Sequence, residues 1–389
     1  MNTKEKTLKF LFGNYGRMDV CFTHGNGAYL YDTEGKRYLD LVAGIAVNSI
    51  GYNHPKWAEA VSEQASRMAH TSNLYQIKEQ ADLAEKLASV TPKGMTKSLF
   101  VNSGAEANEG ALKLAVRYTK RGRVLSSLNS FHGRLAASLG ATGQTKYQES
   151  FEPLIPKCFD YFNFGNIEDM KSKITKDTAA VIIEPIQAEG GVQLASKEFF
   201  KAVRDVCDDN GTLMIVDEVQ TGIGRTGKWF GIQNYDVVPD IMTLAKALGG
   251  GIPIGAIVST PEISSVLVPG THGTTFGGGP LACAAASATL DIIKDEKLVQ
   301  NARTLGKKWM SDLKKIKSSD IAEVRGLGLI IGIEMKTHAN DVKEHALKNG
   351  ILVNVCHSNT VRLIPPLIID ENDADKFTSL LSAFLSKYN

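Results

Sequence analysis

The sequence lacks any run of 18 consecutive apolar residues, so no membrane-spanning helix is expected. It also lacks a cysteine framework: Cys21, Cys158, Cys207, Cys283 and Cys356 are scattered, odd in number, and form no C-x-x-C pair. That usage fits a reducing cytosol better than a disulfide scaffold. No excess of one charge is present, since 44 Lys+Arg stand against 42 Asp+Glu for a net charge of +2. A nucleic-acid or membrane-surface partner is therefore not expected. The eight histidines show no metal-ligand spacing such as H-E-x-x-H, and no metal centre is expected. The opening residues hold no apolar core of a secretory signal, which leads to the expectation of a cytoplasmic protein. Repeats and low-complexity tracts are missing too.

What remains is an ordinary globular composition, 43% hydrophobic and 22% charged over 389 residues, ample for a large core and more than one domain. Residues 28–41 (AYLYDTEGKRYLDL) read as two short strands joined by a turn at Glu34-Gly35. From about 55 to 320, helical periods alternate with short apolar runs, the pattern of a parallel sheet covered by helices. One βαβ unit stands out. Ala179–Ile183 is a continuous apolar run, as buried parallel strands are. A helix over 196–210 follows, capped by Ser196 and closed by Gly211, with Phe199, Phe200, Val203, Val206 and Cys207 on one face. Leu213–Val216 is the next strand, ending at Asp217. The last ninety residues or so change character, with strand-like segments at 323–335 and 350–369 and an amphipathic helix at 371–387.

Candidate chemistry clusters at the ends of those strands, where open α/β sheets bind ligands. Ser103-Gly104-Ala105-Glu106-Ala107-Asn108 follows a strand-like run, with Ser103 and Glu106 spaced as a capping box and Glu109 and Lys113 spaced as a helical ion pair. It reads either as a well-capped helix or as an anion site at a helix N-terminus. Asp217 could be a turn former, or could hold a proton on a heterocyclic nitrogen with Gln220 near a ring oxygen. Lys246, between apolar residues and ahead of Gly249-Gly250-Gly251, is either a surface charge or a desolvated amine free for Schiff-base formation. Phe131 and Arg134, in S-F-H-G-R, are core and surface residues, or a cofactor-stacking ring and a carboxylate fork. The loop 270–280 is a plain glycine loop, or part of a phosphate cup. Gly222-Ile223-Gly224-Arg225-Thr226-Gly227 matches the dinucleotide fingerprint G-x-G-x-x-G. However, no apolar-periodic helix opens after Gly227, and the fingerprint requires one.

In order along the chain, L-V-A-G-I-A-V-N (41–48), S-G-A-E-A-N (103–108), F-H-G-R (131–134), E-P-I-Q-A-E-G-G (184–191), 217–227, 246–251, 274–278 and 326–329 resemble class III (ω-type) pyridoxal-phosphate (PLP) aminotransferases. The likeness spans essentially the whole chain and is closest to the acetylornithine branch. It departs at Ala105, where the family usually has Thr, and at Gly279, where it usually has Asn. The resemblance implies an α/β, fold-type I architecture. Its large domain, over 46–295, would hold a mostly parallel seven-stranded-type sheet. A small α+β domain would occupy 296–389, and residues 1–45 would pack with it. It further implies PLP as cofactor and a homodimer with active sites at the subunit interface. Lys246 would anchor the cofactor and shuttle the proton, and Asp217 would keep the ring nitrogen protonated. Gln220 would meet the ring hydroxyl, and Phe131 and Val219 would sandwich the ring. Gly104, Ala105 and a partner's Thr275 would bind phosphate. On the substrate side, Arg134 would hold a distant carboxylate, with Thr274 beside it. Glu189 would pair with Arg362 until 2-oxoglutarate needs that arginine. The implied reaction is transamination of N-acetylornithine with 2-oxoglutarate, in arginine synthesis. Ornithine, 4-aminobutyrate or succinyl-diaminopimelate would be the alternative donors.

Overall fold

In the computed structural model, which describes residues 1–388, a seven-stranded sheet forms the frame. Its strands run in the order Lys97–Val101, Gly255–Ser259, Ile241–Leu244, Leu213–Asp217, Thr178–Ile183, Arg123–Ser127 and Phe159–Phe162. Gly255–Ser259 is antiparallel to both its neighbours, and the remaining pairings are parallel. Every residue of Thr178–Ile183 is buried, because helices cover both faces of a mostly parallel sheet. That burial explains why the strand reads as an unbroken apolar run.

The βαβ unit forms as its sequence dictates. The Ser196 hydroxyl accepts from Phe199 N at 3.1 Å, opening the helix Lys197–Asn210, and Gly211 ends it at φ +61°. Phe199, Phe200, Val203 and Cys207 are buried against the sheet, with Val206 half-buried beside them. Truncating Phe200 to Ala here would cost about 3–5 kcal/mol. The helix returns the chain to Leu213–Asp217 in parallel register, Ile215 beside Ile182, and so delivers Asp217 to the sheet's carboxyl edge.

Two four-stranded sheets flank the frame. One pairs Phe22–Asn26, Tyr29–Asp32 and Arg37–Asp40 with Ile351–Leu352 from near the C-terminus. Tyr29 also donates to Asp373, on the C-terminal helix Glu371–Leu385, at 2.5 Å. The other is antiparallel, ordered Ile321–Leu327, Ile330–Met335, Thr360–Leu363 and Asn354–Cys356. Among the described residues, no helix is long and apolar enough to cross a membrane.

Two local expectations are corrected. Ser103 does cap the helix Gly104–Thr119, accepting from Glu106 N at 3.2 Å, but Glu106 does not close a capping box. Its carboxylate instead takes the backbone and side-chain N–H groups of Asn102 at 2.7 and 2.8 Å. Glu109 does not pair with Lys113. It accepts from Ala137 N and Ser138 N at 2.7 and 2.8 Å, where the start of the helix Ala136–Ala141 offers fixed donors that an exposed ammonium cannot match.

Candidate active site

A cavity of about 600 Å³ opens at the carboxyl edge of the large sheet. Asp217, at its base, is only 4% exposed. Its Oδ2 accepts from Asn108 Nδ2 and from His132 Nδ1, each at 2.8 Å, and its Oδ1 accepts from Val219 N at 2.9 Å. Asn108 is itself fixed by Thr243, which donates to Asn108 Oδ1 at 2.7 Å. These bonds hold the carboxylate in one orientation in a site closed to bulk water.

Lys246 lines the same cavity, two residues beyond the strand Ile241–Leu244. It starts a tight turn with φ +45°, a left-handed conformation that side chains rarely adopt, and strain of this kind gathers at functional sites. Burial pushes the ammonium below its ordinary 10.5, partly opposed by Glu189. The following Gly250, at φ +59°, has no room for a side chain, since a Cβ would lie 2.7 Å from Trp57 Nε1.

The walls come from three further segments. Gly104 and Ala105 begin the helix Gly104–Thr119 on the cavity wall. By position their N–H groups have no intrahelical acceptor. Val219 packs so tightly on Gly104 that a Cβ there would lie 2.8 Å from it. Phe131 also lines the cavity and donates its N–H to Glu184 at 3.1 Å. Burial, then the nearby Asp217, pushes the Glu184 carboxyl well above its usual range. Arg134 is exposed at the mouth, its guanidinium 5.1 Å from the Tyr147 ring centre and 5.9 Å from that of Phe131.

Arg362 and Glu189 stand just behind this wall. They form an ion pair at 2.6 Å, with Arg362 only 1% exposed. Gln220, which does line the cavity, joins both: it accepts from Arg362 at 3.1 Å and approaches Glu189 at 3.5 Å. Burial works against the Glu189 charge, but Arg362 holds its carboxyl below the usual value. Thr274 accepts from the cavity-lining Asn102 at 2.9 Å. Thr275 is exposed and lies off the cavity wall of its own chain.

Reading the sequence missed His132, Asn108 and Glu184 as individual contributors. All three are polar residues inside quoted motifs, and the structure buries each of them. The glycine motif 222–227 serves packing. Its Arg225 is fully buried and reaches Leu329 O and Pro365 O across the fold, with burial pulling its guanidinium down to about 9.

The chain as a whole is similar to known enzymes. The acetylornithine aminotransferase of Methanocaldococcus jannaschii is 46% identical over 377 residues, covering 94% of each chain. The solved acetylornithine aminotransferase from Elizabethkingia anophelis is 34% identical, with a TM-score of 0.87 over 99% of this chain and 98% of that one. An ornithine aminotransferase from Toxoplasma gondii, solved with PLP partially occupying its active site, is 31% identical with a TM-score of 0.94, covering 99% of this chain and 94% of that one. The family model for class-III aminotransferases matches residues 13–385, and the chain belongs to that family.

Proposed function

We propose that this protein transfers the δ-amino group of N-acetylornithine to 2-oxoglutarate with PLP as cofactor. The residues present fit that cofactor. A lysine amine, a buried carboxylate and two free helix N–H groups converge on one cavity, matching an aldehyde, a ring nitrogen and a phosphate. Lys246 would be the covalent anchor, Asp217 the acceptor for the ring nitrogen, and Gln220 the partner of the ring hydroxyl. Phe131 and Val219 would flank the ring, with Gly104 and Ala105 at the phosphate. When bound, PLP supplies the electron sink that stabilises charge on the amine-bearing carbon.

The chain's own residues do the rest. Lys246 Nζ, held below its usual value by burial, would take the proton from that carbon. Asp217, immobilised by Asn108, His132 and Val219, keeps its charge aimed without reorganising. Phe131 and Val219 exclude water from the reacting carbon.

A single observation carries the choice of substrates: the site has two arginines, one open and one masked. Arg134 is exposed at the mouth, while Arg362 is buried in an ion pair with Glu189. A donor with one carboxylate, far from its reacting amine, needs only Arg134. 2-Oxoglutarate carries two carboxylates, and would use Arg362 once Glu189 has moved aside. Thr274 would help to orient the donor from the mouth.

The reading carries with it a homodimer. Leu74, Tyr75 and Phe276 are 86%, 69% and 67% exposed, and Asn73 bonds Thr274 O and Gly277 O, so these apolar side chains share one surface with Thr275. A second copy there would bury them and bring its Thr275 to this cavity's phosphate end. A cytoplasmic role in arginine synthesis follows from the same reading.

The test is a donor panel with 2-oxoglutarate, comparing kcat/KM for N-acetylornithine, ornithine, 4-aminobutyrate and succinyl-diaminopimelate. N-acetylornithine should lead by about tenfold or more, the discrimination of one good polar contact. Preference for any other donor would overturn the assignment.

A further inference from the structure

Glu189 sits in the turn between the short strands Ile186–Gln187 and Gln193–Leu194. What fixes that turn comes from the C-terminal sheet. Arg325 pairs across from Gly332, and Gly332 pairs across from Arg362, so the three form one row over three adjacent strands. Directly opposed residues share a face of a sheet, so both arginines project to the same side with a bare glycine between them. The turn lies in that gap. A Cβ on Gly332 would fall 2.8 Å from Val192 Cβ.

Arg325 grips the turn's backbone. Its Nη2 and Nε donate to Gly191 O at 2.7 and 3.1 Å, and Nε also reaches Val192 O at 3.1 Å. Its Nη1 is held from the other side by Glu323 at 2.6 Å and Glu334 at 2.5 Å. Arg325 is only 8% exposed. Its three nitrogens are thus spread between two carbonyls of the turn and two carboxylates of the sheet, a planar use that lysine cannot reproduce. On the other flank Arg362 hydrogen-bonds the Glu189 side chain of the same turn at 2.6 Å.

We propose that Arg325 is a positioning residue for Glu189. It keeps the 189–192 turn seated over Gly332, so that Glu189 releases Arg362 by side-chain rotation alone, and it thereby sets which amine donors the site accepts. The inference rests on the gating reading given above. With the turn loosened, Glu189 masks Arg362 less well. Arg362 then takes α-carboxylates more readily, and ordinary α-amino donors gain on N-acetylornithine.

The experiment uses the PLP-loaded enzyme and single-turnover spectroscopy with glutamate and with N-acetylornithine as donors. In Arg325→Met the glutamate-to-acetylornithine ratio of second-order rate constants should rise about tenfold, the equivalent of one charge-assisted hydrogen bond. Arg325→Lys should fall between Arg325→Met and the parent. Gly332→Ala, which displaces Val192 without touching any charge, should shift the ratio the same way and serves if Arg325→Met does not fold. In a Glu189→Ala background none of these should move the ratio further, because Arg325 acts through Glu189. If Glu189→Ala shifts the ratio but the Arg325 and Gly332 variants slow both donors in parallel, Arg325 is merely structural and this inference falls alone. If Glu189→Ala itself leaves the ratio unchanged, the gate falls and this inference with it.

Discussion

Asp217 and Thr275 are both assigned to the same cofactor, yet their surroundings are opposites. Asp217 ends a buried strand, is 4% exposed, and is held by three donors from three different segments. Thr275 is exposed on a glycine-rich loop, beside the 67% exposed Phe276. The cavity's floor is finished within one chain, whereas the Thr275 loop carries exposed apolar side chains that a second chain would cover. On the proposed reading the chemistry is built on rigid strand ends, and the grip on the cofactor would depend on association.

That contrast is open to attack from both sides. The largest effect belongs to the floor: Lys246→Ala should abolish turnover and the visible absorbance of covalently held PLP, with the fold retained by circular dichroism. Residual turnover above about one per cent, under 3 kcal/mol of lost catalysis, would break the assignment. Asp217→Asn should follow, with cofactor still bound but kcat lower by about 10³-fold, roughly 4 kcal/mol, since a neutral amide cannot balance a ring N–H charge. A variant within threefold of the parent would show that the buried anchor is dispensable. Arg134→Ala, at the mouth, should lose about 10²–10⁴-fold in kcat/KM for N-acetylornithine, two charge-assisted hydrogen bonds' worth. Loss confined to 2-oxoglutarate would move the donor's carboxylate elsewhere.

The interface side predicts a gentler change. Thr275→Ala should weaken PLP binding by about tenfold, one hydrogen bond to a charged group, and diluting the parent until sedimentation shows monomers should weaken it at least as much. PLP affinity that ignores the oligomeric state would contradict the idea of a shared site. The smallest effect concerns the floor's own stability. Glu218 accepts from Thr221, Gly231 N and Ile232 N, and burial raises its pKa to about 7 from 4.5. The folded state therefore binds the extra proton, and stability from this group is full below about 4.5 and is lost as pH rises through 7. Apo-protein Tm should fall over that window, and Glu218→Gln should make the decline shallower by an amount of order 1–3 kcal/mol. An unchanged slope would remove Glu218 from the account.

How far the site was legible in advance follows the same division. Asp217 and Phe131 follow strand-like runs, so the pattern placed them at a strand's carboxyl end, whereas Lys246 was marked by its apolar neighbours and the glycines after it. The βαβ unit was readable because Ser196 and Gly211 mark its helix at both ends. The failures were local patterns that tertiary partners overruled. Ser103 and Glu106 had capping-box spacing, but Glu106 found the Asn102 donors closer. Glu109 had a helical partner in Lys113 and took the N–H groups of Ala137 and Ser138 instead. Arg325 was invisible as a positioning group, because its role exists only once Gly332 leaves a gap between two strands and the turn from residue 189 fills it.

The central claim is that this cavity holds PLP on Lys246. It is tested most directly by reducing the PLP-loaded protein with borohydride, digesting it, and locating the pyridoxyl group by mass spectrometry. The account predicts one modified lysine, Lys246, with the label prevented when a saturating amine donor is added first. Label on another lysine, or on Lys246 regardless of donor, would contradict it.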